Sequence, residues 1–441
     1  MILHPPAAGR PRSAAAVALL LSAPLLTLLF QGNSCTAAEP ATPNEAAPSQ
    51  TLDLAACLNL ALQHQPRIAA ARASLAAAED GKRALDSLHI PTIIDPELPI
   101  RRKQACLGVS AAAAALEQAE HDAVYAVTRN FYTVIFAREQ ERVARSVVDR
   151  LSAINEVARG QLQSGARDIT TTDVNRTTVY LRLALTQQHK ATSGVKRAVA
   201  ALREAIGFGP EFQFEVASAQ LPKLDVKLDL PDVIANALAR RGEMARAAAF
   251  SEVTCLEVQA QGTGLHRRME TFAAGSDIHG SPVPLEEHND IYKPGGIFPE
   301  MPTLLVGQRG EREKRASSFH ARAEALVEGT RNLISLEAED AFLRWEDASL
   351  EGKAAREATE SGEQLAEDLS RDFNARLKVK VEDVVNARVL AAQARSRYNE
   401  ALYHQILALA DIERITAGGI CAGLTELAGV RPQPAGAAPN K

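Results

Sequence analysis

Apolar residues recur along most of this chain at steps of three and four, the spacing that places them on one side of a helix. Leu52, Ala55, Leu58, Leu62 and Ile68 open the pattern and predict a helix running to about Leu88, with Thr51 as its cap. From Gly108 to Gln163 no proline occurs and Gly160 is the one internal glycine. Those residues would make about 80 Å of helix at 1.5 Å per residue, too long for an ordinary globular element. After a break at Gly165, Val174, Thr178, Leu181, Leu185, Gln188, Thr192, Val195, Val199, Leu202 and Ile206 alternate steps of four and three. A seam of that period predicts helices wound around one another. Gly207 and the pair Gly209-Pro210 end it.

The same plan recurs downstream. Asp173-Val174 matches Asp383-Val384 at an offset of 210 residues, and the long helix expected from Ser317 to about Phe373 corresponds to 108–163. Ala61-Leu62 with Gln65-Pro66 matches Ala237-Leu238 with Arg241-Gly242 at an offset of 176. The 34-residue difference falls on 262–315, a stretch rich in Gly and Pro. The pattern is a tandem duplication with one enlarged connector. It divides the chain into a first helical repeat at 51–210, a linker at 211–228 and a second repeat at 229–419. Alanine runs such as Ala111 to Ala115, with 4% aromatics, suit closely packed helices rather than a bulky mixed core.

The ends read differently. Arg10 and Arg12 precede the apolar run Ala14 to Phe30, and the small residues Thr36, Ala37 and Ala38 follow, the order of an export signal over 1–38. No second such run occurs downstream, which excludes a multi-helix inner-membrane protein. Removal of the signal takes away Arg10 and Arg12 and no acid, shifting the formal charge from −5 to −7. Cys35 either leaves with the signal or becomes an acylated first residue. Residues 39–50 are a Pro/Ala-rich tether and 420–441 a tail, both poor in packing residues. No stretch has the basic density that holds nucleic acid. Cys57, Cys106, Cys255 and Cys421 are too sparse for a disulfide scaffold and lack C-x-x-C spacing, though an even number is compatible with pairing in an oxidising compartment.

Thr51-Leu52-Asp53-Leu54-Ala55 followed by Ala61-Leu62 and Gln65-Pro66 resembles the opening helix of the TolC-type outer-membrane efflux channels. Leu230-Pro231-Asp232-Val233 leading to Ala237 through Glu243 resembles that family's second copy. Gly165, Ile169-Thr170, Asp173-Val174, Leu202-Arg203 and Ile206-Gly207 are similar to its first hairpin, and Val381 through Ala387 to its second. The resemblance implies an all-α dominated protomer, a tandem duplication of long antiparallel helical hairpins. Such a subunit would join two sister copies as a homotrimer around a hollow helical cylinder. It implies a passive duct in the outer membrane facing the periplasm, which works with a periplasmic adaptor and an inner-membrane transporter and needs no cofactor.

The connectors depart from the family, which places two membrane strands in each. A spanning strand needs about 9–11 alternating residues. Residues 86–107 barely have that length for a pair, and Pro91, Pro96 and Pro99 interrupt them; the second connector carries Pro282, Pro284, Pro294, Pro299 and Pro302. Short or degenerate β connectors are therefore expected, and the alternative function is a periplasmic or lipid-anchored helical scaffold that has lost the transmembrane barrel.

In the resembled channels, carboxylates of the second tip ring the narrowest point. Asp383 matches the first of them and Asn386 stands at the second, so a trimer would present one carboxylate layer attracting cations. Asp383 could equally cap its helix, as Asp173 would in the first copy. Asp168, with Arg167, Lys378 and Lys380, could touch an adaptor or simply be solvated. In the enlarged connector, His266, His279 and His288 with Asp277, Glu286, Glu287 and Asp290 lack any spacing that fixes two metal ligands on one face. Gly262-Thr263-Gly264 and Gly295-Gly296 lack the Lys-Ser/Thr of a phosphate loop, and Ser276-Asp277 with His279 is adjacency, not a triad. Phe131, Tyr132, Phe136, Phe342 and Trp345 are expected to pack between helices. An enzyme is not expected.

Overall fold

The computed structural model describes residues 50–165, 169–217, 220–263, 308–375, 379–420 and 424. Eight helices and two short strands make up the described part. Helices α1 (Leu54–His64), α2 (Pro66–Ser87), α3 (Leu98–Gln163) and α4 (Thr171–Ile206) have 11, 22, 66 and 36 residues. Helices α5 (Leu230–Arg240), α6 (Gly242–Thr263), α7 (Arg309–Asn374) and α8 (Val381–Ile415) have 11, 22, 66 and 35. Two quartets of almost identical lengths follow each other in the chain. Each of the two longest helices, at 66 residues, spans about 100 Å.

Several boundaries differ from the sequence reading. Asp53, not Thr51, caps α1, its carboxylate accepting the Ala56 N–H at 2.7 Å. The expected single helix to Leu88 is two, because Gln65 is extended ahead of Pro66, which starts α2 in the first turn where a missing N–H costs nothing. Helix α3 begins at Leu98, well before Gly108, for the same reason: Pro99 lies in its first turn. Helix α7 likewise starts at Arg309, ahead of Ser317, and α6 runs into 262–263, so both ends of the enlarged connector are helical. Gln50 to Leu52 (β1) pairs in parallel with Phe214 to Val216 (β2), putting strand pairing where a tether and a linker were expected.

Every member of the α4 seam is at least partly buried, while Arg182, Leu183, Gln187, Lys190 and Lys196 between its members are exposed. The main core joins the two repeats: Leu58, Val127, Phe131, Ile135, Leu202 and Ile206 meet Ile406 and Leu409. Phe136 stacks on Tyr403 with centroids 4.6 Å apart, and the Tyr403 hydroxyl lies 2.8 Å from that of Thr133. Gly207 closes α4 at φ 97°, and a Cβ there would lie 2.7 Å from the carbonyl oxygen of His64. Only glycine satisfies both the left-handed cap and that close approach. Further along, Ala366, Ala387 and Ala391 form an all-alanine contact beside Gly362, which lets α7 and α8 approach closely.

Two charged networks are buried within this apolar frame. Arg101 is bonded to Glu97 at 2.9 Å and to Glu257; Glu257 also accepts from Gln104 at 3.0 Å and Gln261 at 2.7 Å. Burial pushes the Glu97 carboxyl above its ordinary range, against the pull of Arg101. In the second network Arg414 bonds Asp411 at 2.7 Å, approaches Asp122 at 3.7 Å and lies 5.4 Å from the Tyr125 ring centroid. His121, one position from Asp122, is itself buried, and burial lowers its pKa by disfavouring the imidazolium.

The depressed His121 makes stability fall with acid. The folded state holds the imidazole neutral, while the unfolded chain takes up its proton near pH 6.5. The contribution of His121 is thus present above that pH and is lost as pH falls through it toward the lower folded value. Between about pH 7.5 and about 5, denaturant midpoints of His121→Gln should decline less, or rise more, than those of the parent chain. An unchanged slope in the variant would contradict the assignment.

Cys57, Cys106 and Cys255 are free thiols. Cys57 is fully buried, and burial with the nearby Asp53 carboxylate pushes its thiol up to about 12, which keeps it protonated and unreactive.

Candidate functional site

The features with most functional content are the two hairpin tips. At the first, Gly165 takes φ 74° after α3, and α4 starts with a reciprocal cap. Thr170 Oγ1 accepts the Asp173 N–H at 3.3 Å, and Asp173 Oδ2 accepts both the Thr170 N–H at 2.9 Å and its hydroxyl at 2.7 Å. These bonds, that from the Thr170 side chain foremost and then that from its backbone, hold the Asp173 carboxyl below its usual range. Asp173 is therefore a helix-starting residue in this chain.

The second tip is built differently. Lys380 is the residue before α8 and offers no side-chain cap, so Asp383, in the same third position, has no reciprocal partner. The capping alternative considered for Asp383 is not the geometry found. Asp383 and Asn386 both lie on the exposed side of α8, between the buried Val381, Val384, Val385 and Ala387. Asp168, with Arg167, and Lys378 fall outside the described residues, as do Cys35, Cys421 and the histidine-bearing part of the second connector.

The tips are packed together. Leu151, Ile169, Val381 and Val385 form one buried cluster with Leu181 and Phe373 against it. Asn155 donates to Thr177 at 2.7 Å and Thr178 at 3.0 Å, binding the two arms of the first hairpin just above. Across the gap between repeats, the Arg176 guanidinium donates to the Glu382 carboxylate. The pair closes a cleft lined by Asp173, Thr177, Tyr180 and Val385. Glu382 was not among the sequence candidates, since nothing local marks a partner 206 residues away.

Elsewhere the described residues hold no group of three His, Cys, Asp or Glu side chains placed to hold a metal ion. Among them no helix is long and apolar enough to cross a membrane. The first connector, 88–97, contains turns and no strand.

No family model and no curated protein matches this chain. Solved structures do. A membrane protein from Pseudomonas aeruginosa is similar at a TM-score of 0.65 and 15% identity, over 86% of this chain and 99% of that one. The Campylobacter jejuni CmeC outer membrane channel gives 0.66 and 14%, over 83% and 86%. The open state of the Neisseria gonorrhoeae MtrE outer membrane channel gives 0.64 and 13%, over 83% and 89%. At such identities the likeness is one of fold, and the fold is the helical one of outer-membrane channels, as the sequence resemblance implied.

Proposed function

We propose that this chain is the subunit of a passive outer-membrane channel that exports small molecules, three copies closing around a water-filled bore. The observation that carries the reading is the fold: a doubled hairpin of about 100 Å helices, shared with outer-membrane channels over 83% of this chain. Exposed apolar residues support the assembly. Leu336, Leu343 and Leu350 stand at heptad spacing on α7, and Val179 and Leu183 lie one turn apart on α4. Stripes of that period are covered by neighbouring helices, here those of sister copies. Transport needs no cofactor in this scheme, the energy coming from an inner-membrane transporter joined through a periplasmic adaptor at the tips.

Asp383 is exposed on α8, which suits the proposed ring of three carboxylates at the tip opening of a trimer, with Asn386 one turn further on. Trimers reconstituted in planar bilayers should conduct. Asp383→Ala should reduce the cation over anion permeability ratio severalfold at low salt, with a smaller change at high salt where the charge is screened. A ratio that stays the same would remove Asp383 from the pore.

The strandless first connector favours a second reading, a periplasmic or lipid-anchored helical scaffold that has lost the transmembrane barrel. Bilayer recordings separate the two, since a scaffold gives no conductance.

A further inference from the structure

Above the tips the four long arms stand in a row: α4 packs along α3, α3 along α8 and α8 along α7. Helices α4 and α7 are thus its outer members. On α4 the seam Thr178, Leu181, Leu185, Gln188 and Thr192 turns inward. The heptad line opposite it, Leu183, Lys190 and Arg197, is exposed along one edge of the row. On α7 the buried Ala341, Ala348, Thr359 and Gly362 turn inward, and the opposite line, Leu343, Leu350, Glu357 and Gln364, is exposed along the other edge.

The two edges carry opposite charge. From Val174 to Arg203, α4 has six arginines and lysines and no acid. From Glu337 to Asp372, α7 has twelve acids and four bases. Among the described residues, Lys190, Arg197 and Glu357 make no ion pair within their own copy. Unlike stripes on opposite sides of one molecule are what a head-to-tail ring requires, since each copy offers one edge and receives the other.

The heights of the stripes agree as well. Thr192 donates to Glu141 at 2.8 Å, tying α4 to α3, and Ser396 donates to the adjacent Gln140 at 2.8 Å, tying α3 to α8. Gln405 donates to Ser349 at 3.2 Å and Ala391 lies against Gly362, which between them bring Ser396 level with Glu357. Thr192, Ser396 and Glu357 therefore share one level, and rotation about an axis along the rod preserves it. At 1.5 Å per residue, Lys190 of one copy then meets Glu357 of the next to within about 3 Å in height. Leu183 meets Gln364 equally closely, and Arg197 meets Leu350, one turn from Glu346 and Asp347.

We infer that the α4 edge of one copy docks on the α7 edge of a second copy, and that opposite charge, with Lys190 against Glu357 at its centre, selects this contact and sets its register. The inference rests on the proposed assembly of sister copies and adds which faces meet, at what height and by what force.

The test uses the full mature chain with its exposed cysteines replaced by alanine. Leu183→Cys with Gln364→Cys should, on mild oxidation, join copies through disulfides on a denaturing gel, since within one copy the two sites lie on opposite edges. Leu183→Cys with Leu350→Cys, about 20 Å out of level, should not. Independently, Lys190→Glu with Arg197→Glu should raise the dissociation constant of the assembly by on the order of tenfold at low salt and by less at high salt, with circular dichroism unchanged. Adding Glu357→Lys with Glu346→Lys should restore most of the affinity. A trimer by mass that neither forms the first cross-link nor responds to charge reversal overturns the inference and leaves the channel standing. Copies that do cross-link, but as dimers or open chains, keep this interface and reject the trimeric channel. A single chain at every concentration rejects both.

Discussion

Arg414→Ala should destabilise the folded chain by about 3–5 kcal/mol, the range for breaking a buried ion pair from one side. Arg414 lies at the end of α8, where it closes the second repeat onto α3. Burial works against its charge, yet Asp411, Asp122 and Glu337 together raise its pKa, so the guanidinium is the counterion on which this group of carboxylates depends. Asp122 shows what the arrangement costs, since burial lifts its carboxyl above the ordinary range despite Arg414. Removing the arginine leaves the buried Asp411 without its partner in a low-dielectric setting, takes a counterion from the half-exposed Asp122 and strips a contact from Tyr125. Against a total of about 5–15 kcal/mol for a typical domain, the loss is large. Chemical denaturation at neutral pH measures it. Pairing Arg414→Met with Asp411→Asn should recover part of the loss, and a cost below about 1 kcal/mol for Arg414→Ala would contradict the assigned role.

In the proposed channel, Arg176→Glu should loosen the contact between the two tips and favour an open state. The Arg176 to Glu382 pair lies on the surface, each side chain close to half exposed, and one such bridge contributes at most about 1 kcal/mol. The proposed trimer holds three, and three lost together shift a closed-to-open balance by on the order of a hundredfold. Charge reversal adds repulsion between the introduced carboxylate and Glu382, pushing in the same direction. Open probability in planar bilayers reads the effect, and adding Glu382→Arg should restore closure. If the single and double variants gate like the parent, the pair is only a surface contact.

Much of this fold is legible in the sequence because its helices are amphipathic and long. The α4 seam read from spacing alone is buried at least in part at every position, since a four-and-three alternation admits few other structures. Prolines misled at the ends. The first helix is expected to run through Pro66, and Pro99 reads as an interruption, but each sits in a first turn, where proline is favoured. The buried arginines were not legible at all. Arg101 and Arg414 look like ordinary surface charges until Glu257 and Asp122 arrive from distant helices.

At the tips, the sequence marked Asp173 and Asp383 as equivalents, and their local chemistry separates them. Thr170 stands before the first, while Lys380 before the second cannot complete a capping box. The role of Glu382 needed the two repeats side by side. In the first connector, the spacing of prolines pointed to short or degenerate strands, and the described residues 88–97 form turns with no strand at all; nor could the spacing show that Ile93 and Ile94 would be exposed.

One copy by itself leaves apolar side chains on α4 and α7 exposed, and the proposed trimer would cover them and enclose a bore. The mass of the detergent-solubilised mature assembly, by sedimentation or native mass spectrometry, tests this most directly. A closed trimer requires three times the mass of the mature chain, stable to dilution. A particle with the mass of one chain, folded and soluble at the same helix content, would contradict it.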